Sequence, residues 1–395
     1  MVELLAPAGG REQLEYALAY GADAVYVGGS RFGLRRKAQN FDDDDLADAV
    51  RIVHAAGKRI FVTLNAVMHG EDLGPLADHA AALEDAGVDA AIVSDPAAFR
   101  IAQRCAPTLR LHISTQASVA NAEAARFWYE QGAARVVLAR ELSLEEIREI
   151  RAVSPPELEL EVFVHGAMCM AYSGRCLISN YLTGRDANRG HCTQPCRWEY
   201  TVREETRPGQ EFDLEQDERG TYVFNSKDLM MIEHLRALID TGVNSLKIEG
   251  RMKNALYVAT VVGAYRQVID GANPADFLAE LDSVSHRPYS TGFYFGEAEQ
   301  ATDTPGYQQT HQLTGVAGVG ERPGRATFNL RNRIAMGEEL EVLSPGAPVR
   351  SFRVEALFDE QGVPIELANV AMRDYQVAVP FELGPYSLLR KRITR

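Results

Sequence analysis

Cys169, Cys176, Cys192 and Cys196 crowd into residues 165–198, and only Cys105 lies elsewhere. Thiolates ligate soft metal centres, so clustered thiols point first to one shared inorganic centre. Their spacing is C-x6-C-x15-C-x3-C. Structural zinc sites favour short knuckles, and neither close pair here is C-x2-C. Iron–sulfur clusters accept more varied spacing and commonly take four cysteines. An iron–sulfur centre is therefore the leading reading, with a zinc site and unliganded thiols as the alternatives. Gly166, Gly174 and Gly190 suit a backbone that folds tightly around such a centre. His165 is a candidate ligand or proton donor; a hydrogen-bonded residue at a strand end is an equal reading. Cys105 lies in a helical pattern and is expected in the core.

Composition narrows the setting. Lys and Arg number 41 against 55 Asp and Glu, a net charge of −14 over 395 residues. That balance opposes indiscriminate binding to nucleic acid or anionic membrane, so an RNA substrate would need a local basic patch. The opening MVELLAPAGGREQLEYALAYG lacks the basic start and apolar run of a secretion signal. No window of about 18 apolar residues predicts a transmembrane helix. A cytoplasmic protein with no membrane partner is expected, and in a reducing compartment clustered thiols bind metal more often than they form disulfides. The oligomeric state is not legible.

A scaffold must hold these groups. Short apolar, β-rich runs at 3–6, 24–27, 59–65, 90–94, 110–114, 135–139 and 158–164 alternate with segments of helical spacing. The runs are apolar on both faces, as in a buried parallel sheet. Asp95-Pro96 places a cap before a first-turn proline, and Ser143 with Glu146 forms a capping box. After the cysteines, 230–241 reads as a helix, 244–248 as an eighth strand and 255–269 as a last helix. Eight β/α units predict a TIM-type (β/α)8 barrel over residues 1–300, with a cysteine-rich, iron–sulfur-binding insertion at 166–226. That insertion leaves the carboxyl end of the seventh strand, where barrel enzymes place their chemistry. Residues 301–395 break into short β-like runs with Gly and Pro, which predicts a small barrel-like β domain. The glycine-rich Gly315–Gly320 run lies outside any βαβ unit and reads as turn-rich β structure rather than a nucleotide fingerprint.

The segment EVFVHGAMCMAYSGRCLIS, 161–179, resembles the signature of the U32 peptidase family, the collagenase-like proteins. The resemblance extends through LLAPAG at 4–9, YGADAVYVG at 20–28, RELSLEEI at 140–147, CRWEY at 196–200, NSKDL at 225–229, KIEGR at 247–251 and HRPYSTGF at 286–293. It is strongest toward a branch that hydroxylates tRNA. It implies a [4Fe–4S] cluster on Cys169, Cys176, Cys192 and Cys196. It also implies oxygen-independent hydroxylation of wobble uridine to 5-hydroxyuridine, drawing on prephenate. Sister branches hydroxylate ribosomal RNA cytidine or a quinone precursor. The family name also carries a peptidase alternative, although the chain has no HExxH, no GxSxG elbow and no cysteine-protease signature.

Strand ends then supply the candidate pocket. Asn65, Gln116, Arg140, Glu141, Lys247, Glu249 and Arg251 end strands on one rim, with Ser94, Asp95 and His165, while Arg35 and Asn40 follow the second strand. His165, Glu249 and Lys247 are the candidate catalytic groups. Arg35, Arg140 or Arg251 would clamp the carboxylates of a small dicarboxylate such as prephenate, helped by Asn40, Asn65, Gln116 and Glu141. A structural ion-pair ring is the competing reading. For a tRNA anticodon loop, Arg35, Arg36, Lys37, Arg175, Arg185, Arg189, Arg197, Arg251 and Lys253 form the candidate basic surface, with the tail Arg390-Lys391-Arg392 and Arg395. Tyr172, Trp198 and Tyr200 are candidates for stacking a splayed base. Lys227 and Asp228 flank the predicted helix, where Asp228 is a candidate cap.

Overall fold

The computed structural model describes residues 2–35, 38–198, 216–217, 220–221, 226–298, 307–318 and 324–393. The chain divides into two compact units. One comprises Met1–Leu18, Ala22–Lys253 and His286–Tyr307, the other Ala19–Gly21, Asn254–Ser285 and Gln308–Arg395.

In the first unit, eight strands form a closed parallel barrel: β1 Glu3–Pro7, β2 Ala24–Gly28, β3 Arg59–Leu64, β4 Ala90–Val93, β5 Arg110–Ile113, β6 Arg135–Val137, β7 Glu159–Ala167 and β8 Ser245–Ile248. Each pairs in parallel with its successor, and β8 closes the ring by pairing with both β7 and β1. Between the strands run α1 Arg11–Ala19, α2 Asp43–Ala55, α3 Leu73–Asp85, α4 Pro96–Cys105, α5 Ala122–Glu130 and α6 Leu144–Val153. Asp95 caps α4 through the Ala97 and Ala98 amides, and Ser143 with Glu146 completes the capping box of α6. The strands are apolar on both faces because one face meets helices and the other fills the barrel. Leu5, Ala24, Tyr26, Phe61, Ala90 and Ile92 form one buried cluster. Within it Ala24 and Tyr26, like Ala90 and Ile92, are two residues apart and share a strand face.

Charges are buried here too. Arg135 donates to Glu3 at 2.6 Å, to Glu161 at 2.8 Å and to Glu159 at 2.5 Å, while Lys247 donates to Glu161 at 2.8 Å. Burial pushes the Glu161 carboxyl up, but Lys247 and Arg135 outweigh it and hold the group below its ordinary range. An ion pair this deep persists only because each charge has partners in place.

One predicted helix is shorter than its pattern. Residues 228–230 form a strand, Ile232–His234 a 3-10 turn, and only Leu235–Ile239 an α-helix. The reason is pairing: Asp228–Met230 lies antiparallel to the end of β7.

In the second unit, the helix Ala255–Ile269 forms where its spacing predicts. His311–Ala317, Arg325–Leu330, Glu339–Leu343, Arg350–Arg353, Leu357–Phe358, Asp374–Ala378 and Leu388–Arg392 build a seven-stranded antiparallel sheet. Phe328, Leu340, Val342, Val377 and Leu389 lie in its core. The tail's basic run is not a free patch. Arg390 is buried on Glu280 at 2.8 Å and Glu341 at 2.7 Å, and Lys391 bonds Glu338 at 2.9 Å. Arg392 is exposed; Arg395 and Gly320 lie outside the described residues. Gly315 lies inside the strand His311–Ala317. Among the described residues no helix is long and apolar enough to cross a membrane.

Candidate active site at the barrel mouth

The cysteine segment leaves β7 at Ala167, and the chain returns through Asp228, which is the Cα partner of Ala167. The turn out of the barrel needs Gly166. Its φ is +108°, and a Cβ there would sit 2.5 Å from the Glu249 carbonyl oxygen. Buried side chains then stitch the segment to the rim. Arg140 donates from Nη1 to the Ala167 carbonyl at 2.9 Å and from Nη2 to Ser173 Oγ. Arg287 donates to the Met168 carbonyl at 3.0 Å and pairs with Asp228 at 2.7 Å. Asp228 is therefore an ion-pair partner, not a helix cap. On the far arm, the Val67 amide donates to the Asn188 carbonyl at 3.0 Å, and Arg189 pairs with Asp72 at 2.9 Å.

Beneath lies a narrow pocket of about 60 Å³. Seven of the residues expected on the rim line it: Arg35, Asn65, Gln116, Arg140, Lys247, Glu249 and Arg251. Tyr26, Thr63, Ser114, Phe163 and Ser173 line it as well. Asn40 stands behind Arg251 and accepts from its Nη2. Glu141 is part-buried outside the lining, and burial pushes its carboxyl up against the pull of Arg140. His165 is fully buried and also outside the lining, with its ring 5.4 Å from that of Tyr289. Burial, with His286 and Lys253, pushes its imidazole down to about 3. Ser94 and Asp95 line a neighbouring cavity of about 110 Å³, which shares Asn65 and Gln116 with the pocket.

The arginines differ in role. Arg140 is engaged with the cysteine segment. Arg35 is part-exposed and pairs with Glu249 at 3.1 Å; burial lowers its affinity for a proton, but Glu249 and Cys169 outweigh this and raise it. Arg251 is buried, and its partners are the neutral oxygens of Thr63, at 2.8 Å, and Asn40. Among the described residues no carboxylate pairs with it. Burial, with Arg35 adding to it, pushes its guanidinium down to about 10. A buried cation whose hydrogen-bond partners are neutral, and whose charge Glu249 only partly offsets, is suited to receive an anion. Lys247 is spoken for by Glu161 and lies 4.5 Å from the Tyr26 ring centroid.

Leu34 and Arg35 also line a second cavity of about 350 Å³, whose wall carries Cys169, Cys192 and Cys196. Cys176 is not in that lining. Among the described residues no three His, Cys, Asp or Glu side chains stand close enough to hold a metal ion. Thiolates are donors suited to a soft metal centre, and three of the four line one cavity, but as placed here they form no ligand shell.

The cysteine segment exposes aromatic and basic side chains. Tyr181 is 89% exposed, Tyr172 47% and Trp198 42%, and Arg175 and Arg185 are exposed. Arg189 is taken by Asp72, and Lys253 lies 4.9 Å from the Tyr307 ring centroid. Arg36, Lys37, the Arg197 side chain and Tyr200 lie outside the described residues. Cys105 is part-buried in α4, and Lys227 is part-buried.

Sequence reasoning missed Tyr26, Thr63 and Phe163, whose inward, period-two positions were an available signal. It missed Arg287, since nothing local pairs residues 59 apart. Tyr181 was also overlooked.

The architecture is a (β/α)8 barrel with a cysteine-bearing segment pinned to the rim of an arginine-lined pocket. The chain belongs to peptidase family U32: the family model matches residues 9–304, and the model of the family's C-terminal domain matches 309–390. It is 40% identical to tRNA hydroxylation protein P1 of Bacillus subtilis, over 98% of this chain and 94% of that one. It is 36% identical to tRNA hydroxylation protein P of Escherichia coli, over 99% and 97%. A protein of Porphyromonas gingivalis named collagenase is 33% identical, over 96% and 94%.

Proposed function

We propose that this chain is a tRNA-modifying enzyme that hydroxylates the wobble uridine to 5-hydroxyuridine, using prephenate rather than molecular oxygen. End-to-end similarity to two proteins named for tRNA hydroxylation supports the activity. The observation that carries the co-substrate is Arg251, a buried guanidinium lining the mouth pocket whose hydrogen-bond partners among the described residues are neutral. A carboxylate entering there would gain a charge-assisted hydrogen bond in a desolvated site. The pocket itself, at about 60 Å³, holds only a few waters' worth of space. A prephenate-sized ligand would therefore extend past Arg35 toward the cysteine cavity. Cys169, Cys176, Cys192 and Cys196, three of which line that cavity, would hold a [4Fe–4S] cluster, which supplies one-electron chemistry when bound. Glu249 stays ionised beside Arg35, since burial is outweighed by Arg35 and Arg140, and is the candidate base. Tyr172, Tyr181 and Trp198 offer faces for a base splayed from the anticodon loop.

Mass spectrometry of tRNA nucleosides from a deletion strain tests the reading: 5-hydroxyuridine derivatives should vanish, and their persistence would refute it. The collagenase-named relative favours a peptidase as a second reading. Among the described residues, neither cavity lining holds a histidine to pair with a serine or cysteine nucleophile. Proteolysis by purified protein that survives Cys169→Ala would favour the peptidase.

A further inference from the structure

Gln116 stands where two cavities meet. It lines the pocket of about 60 Å³ that holds Arg251 and the cavity of about 110 Å³ beside it. Its amide is oriented by a chain of hydrogen bonds that starts at a backbone group. The Leu34 amide donates to Asn65 Oδ1 at 3.2 Å, which fixes Oδ1 as the acceptor of Asn65 and Nδ2 as its donor. Asn65 Nδ2 donates in turn to Gln116 Oε1 at 3.2 Å, and Ser114 Oγ donates to the same oxygen. That leaves Gln116 Nε2. It has no hydrogen-bond partner among the described residues, yet it is not sealed from water as a buried unpartnered atom is. Gly174 of the cysteine segment lies against the Gln116 stem, where a Cβ would sit 2.7 Å from Cγ. The amide is therefore the end presented to the cavities. Other donors in the lining are engaged: Tyr26 with the Ile248 carbonyl at 2.9 Å, Thr115 with the Leu138 carbonyl at 3.1 Å, and Lys247 with Glu161.

We propose that Gln116 determines specificity: the mouth pocket takes the head of an α-keto acid, its carboxylate on Arg251 and its ketone oxygen accepting from Gln116 Nε2. The inference rests on the reading of Arg251 as a carboxylate receptor and names which end of the co-substrate enters. In prephenate that end is the pyruvyl arm. The match is one of charge and shape. The pocket holds a buried cation with neutral hydrogen-bond partners and a neutral donor of fixed direction. An α-keto acid carries one anion and one neutral acceptor on adjacent carbons of a compact, planar head. The ring carboxylate of prephenate sits instead on a quaternary carbon, which is bulkier and sets no neutral acceptor beside the charge. Asn65, engaged at both ends of its amide, is the positioning residue that aims Gln116.

The test uses anaerobically purified full-length protein and a matched pair of probes, phenylpyruvate and hydrocinnamate, which differ only in the ketone. Calorimetry should show wild type binding phenylpyruvate roughly fivefold more tightly, the scale of one neutral hydrogen bond. Gln116→Leu should bind the two acids equally. Gln116→Glu keeps the bonds from Asn65 and Ser114 but sets an acceptor where the donor was, and it should lose the preference too. That second variant carries the test if thermal melts show the leucine variant folding poorly. Equal affinity of wild type for the two acids, or an undiminished preference in either variant, overturns the inference. Arg251→Met judges the underlying reading separately and should bind neither acid. Wild type that binds both acids equally, with both lost in Arg251→Met, refutes the α-keto head alone. Unaltered binding by Arg251→Met, or no binding of either acid by wild type, refutes the carboxylate receptor and the inference with it.

Discussion

Replacing Arg251 by methionine should stabilise the empty protein while abolishing its capture of carboxylates. Arg251 is only 4% exposed, so solvent does little to screen its charge. The fall of its guanidinium from its ordinary range to about 10 corresponds, at about 1.36 kcal/mol per pKa unit, to a penalty of about 3 kcal/mol for burying the cation. The sign is unambiguous at neutral pH. A base with a depressed folded pKa is penalised in full below that pKa, and the penalty lifts only as pH rises from about 10 toward the ordinary guanidinium range. Against it stand the hydrogen bonds to Thr63 and Asn40, about 1 kcal/mol each. Methionine fills similar space without charge, so Arg251→Met should gain about 1 kcal/mol, or ~2 °C in Tm for a chain this size. Ligand reverses the order. Prephenate at 100 times its Kd should stabilise wild type by about 2.7 kcal/mol and the variant not at all. Thermal melts with and without prephenate read both effects. A variant that melts well below wild type, or one that keeps the ligand-induced shift, would refute the reasoning.

Three further outcomes follow from the same geometry. Glu161→Gln leaves Arg135 and Lys247 short of a buried counter-charge and should cost about 3–5 kcal/mol in urea denaturation. Because the Glu161 pKa is held low, its contribution in wild type is present above the ordinary carboxylate range and disappears as pH falls through the folded value, a loss the variant should lack. Arg140→Lys removes the fork that grips Ala167 and Ser173; Cys169 should then react with a thiol reagent several-fold faster while the barrel's circular dichroism is unchanged, and an unchanged rate would count against the pin. Anaerobic purification should yield iron and sulfide, and both should fall in Cys169→Ala; zinc in their place would overturn the cluster assignment. Comparison with Cys196→Ala reports whether Cys196 is the fourth ligand.

Much of the barrel was legible because its signals are local. Apolar runs, Asp95 before Pro96 and the Ser143–Glu146 box each act within a few residues, so the chain carries them wherever it folds. The shortened helix at 230–241 shows the limit: pairing with β7 holds Met230 in a strand, and the chain becomes α-helical only at Leu235. The charged rim was legible as a set of strand ends, since a parallel barrel must bring them together. What each charge does was not. Arg140, Arg251 and Arg390 look alike in sequence, yet one pins the cysteine segment, one lies buried without a carboxylate, and one is spent on Glu280 and Glu341. The cysteines were fixed in number and spacing by the sequence alone. Which three face a common cavity, and which arginine stands between that cavity and the pocket, depended on contacts between residues far apart in the chain. Those are set by packing and charge pairing in three dimensions, which no local pattern encodes.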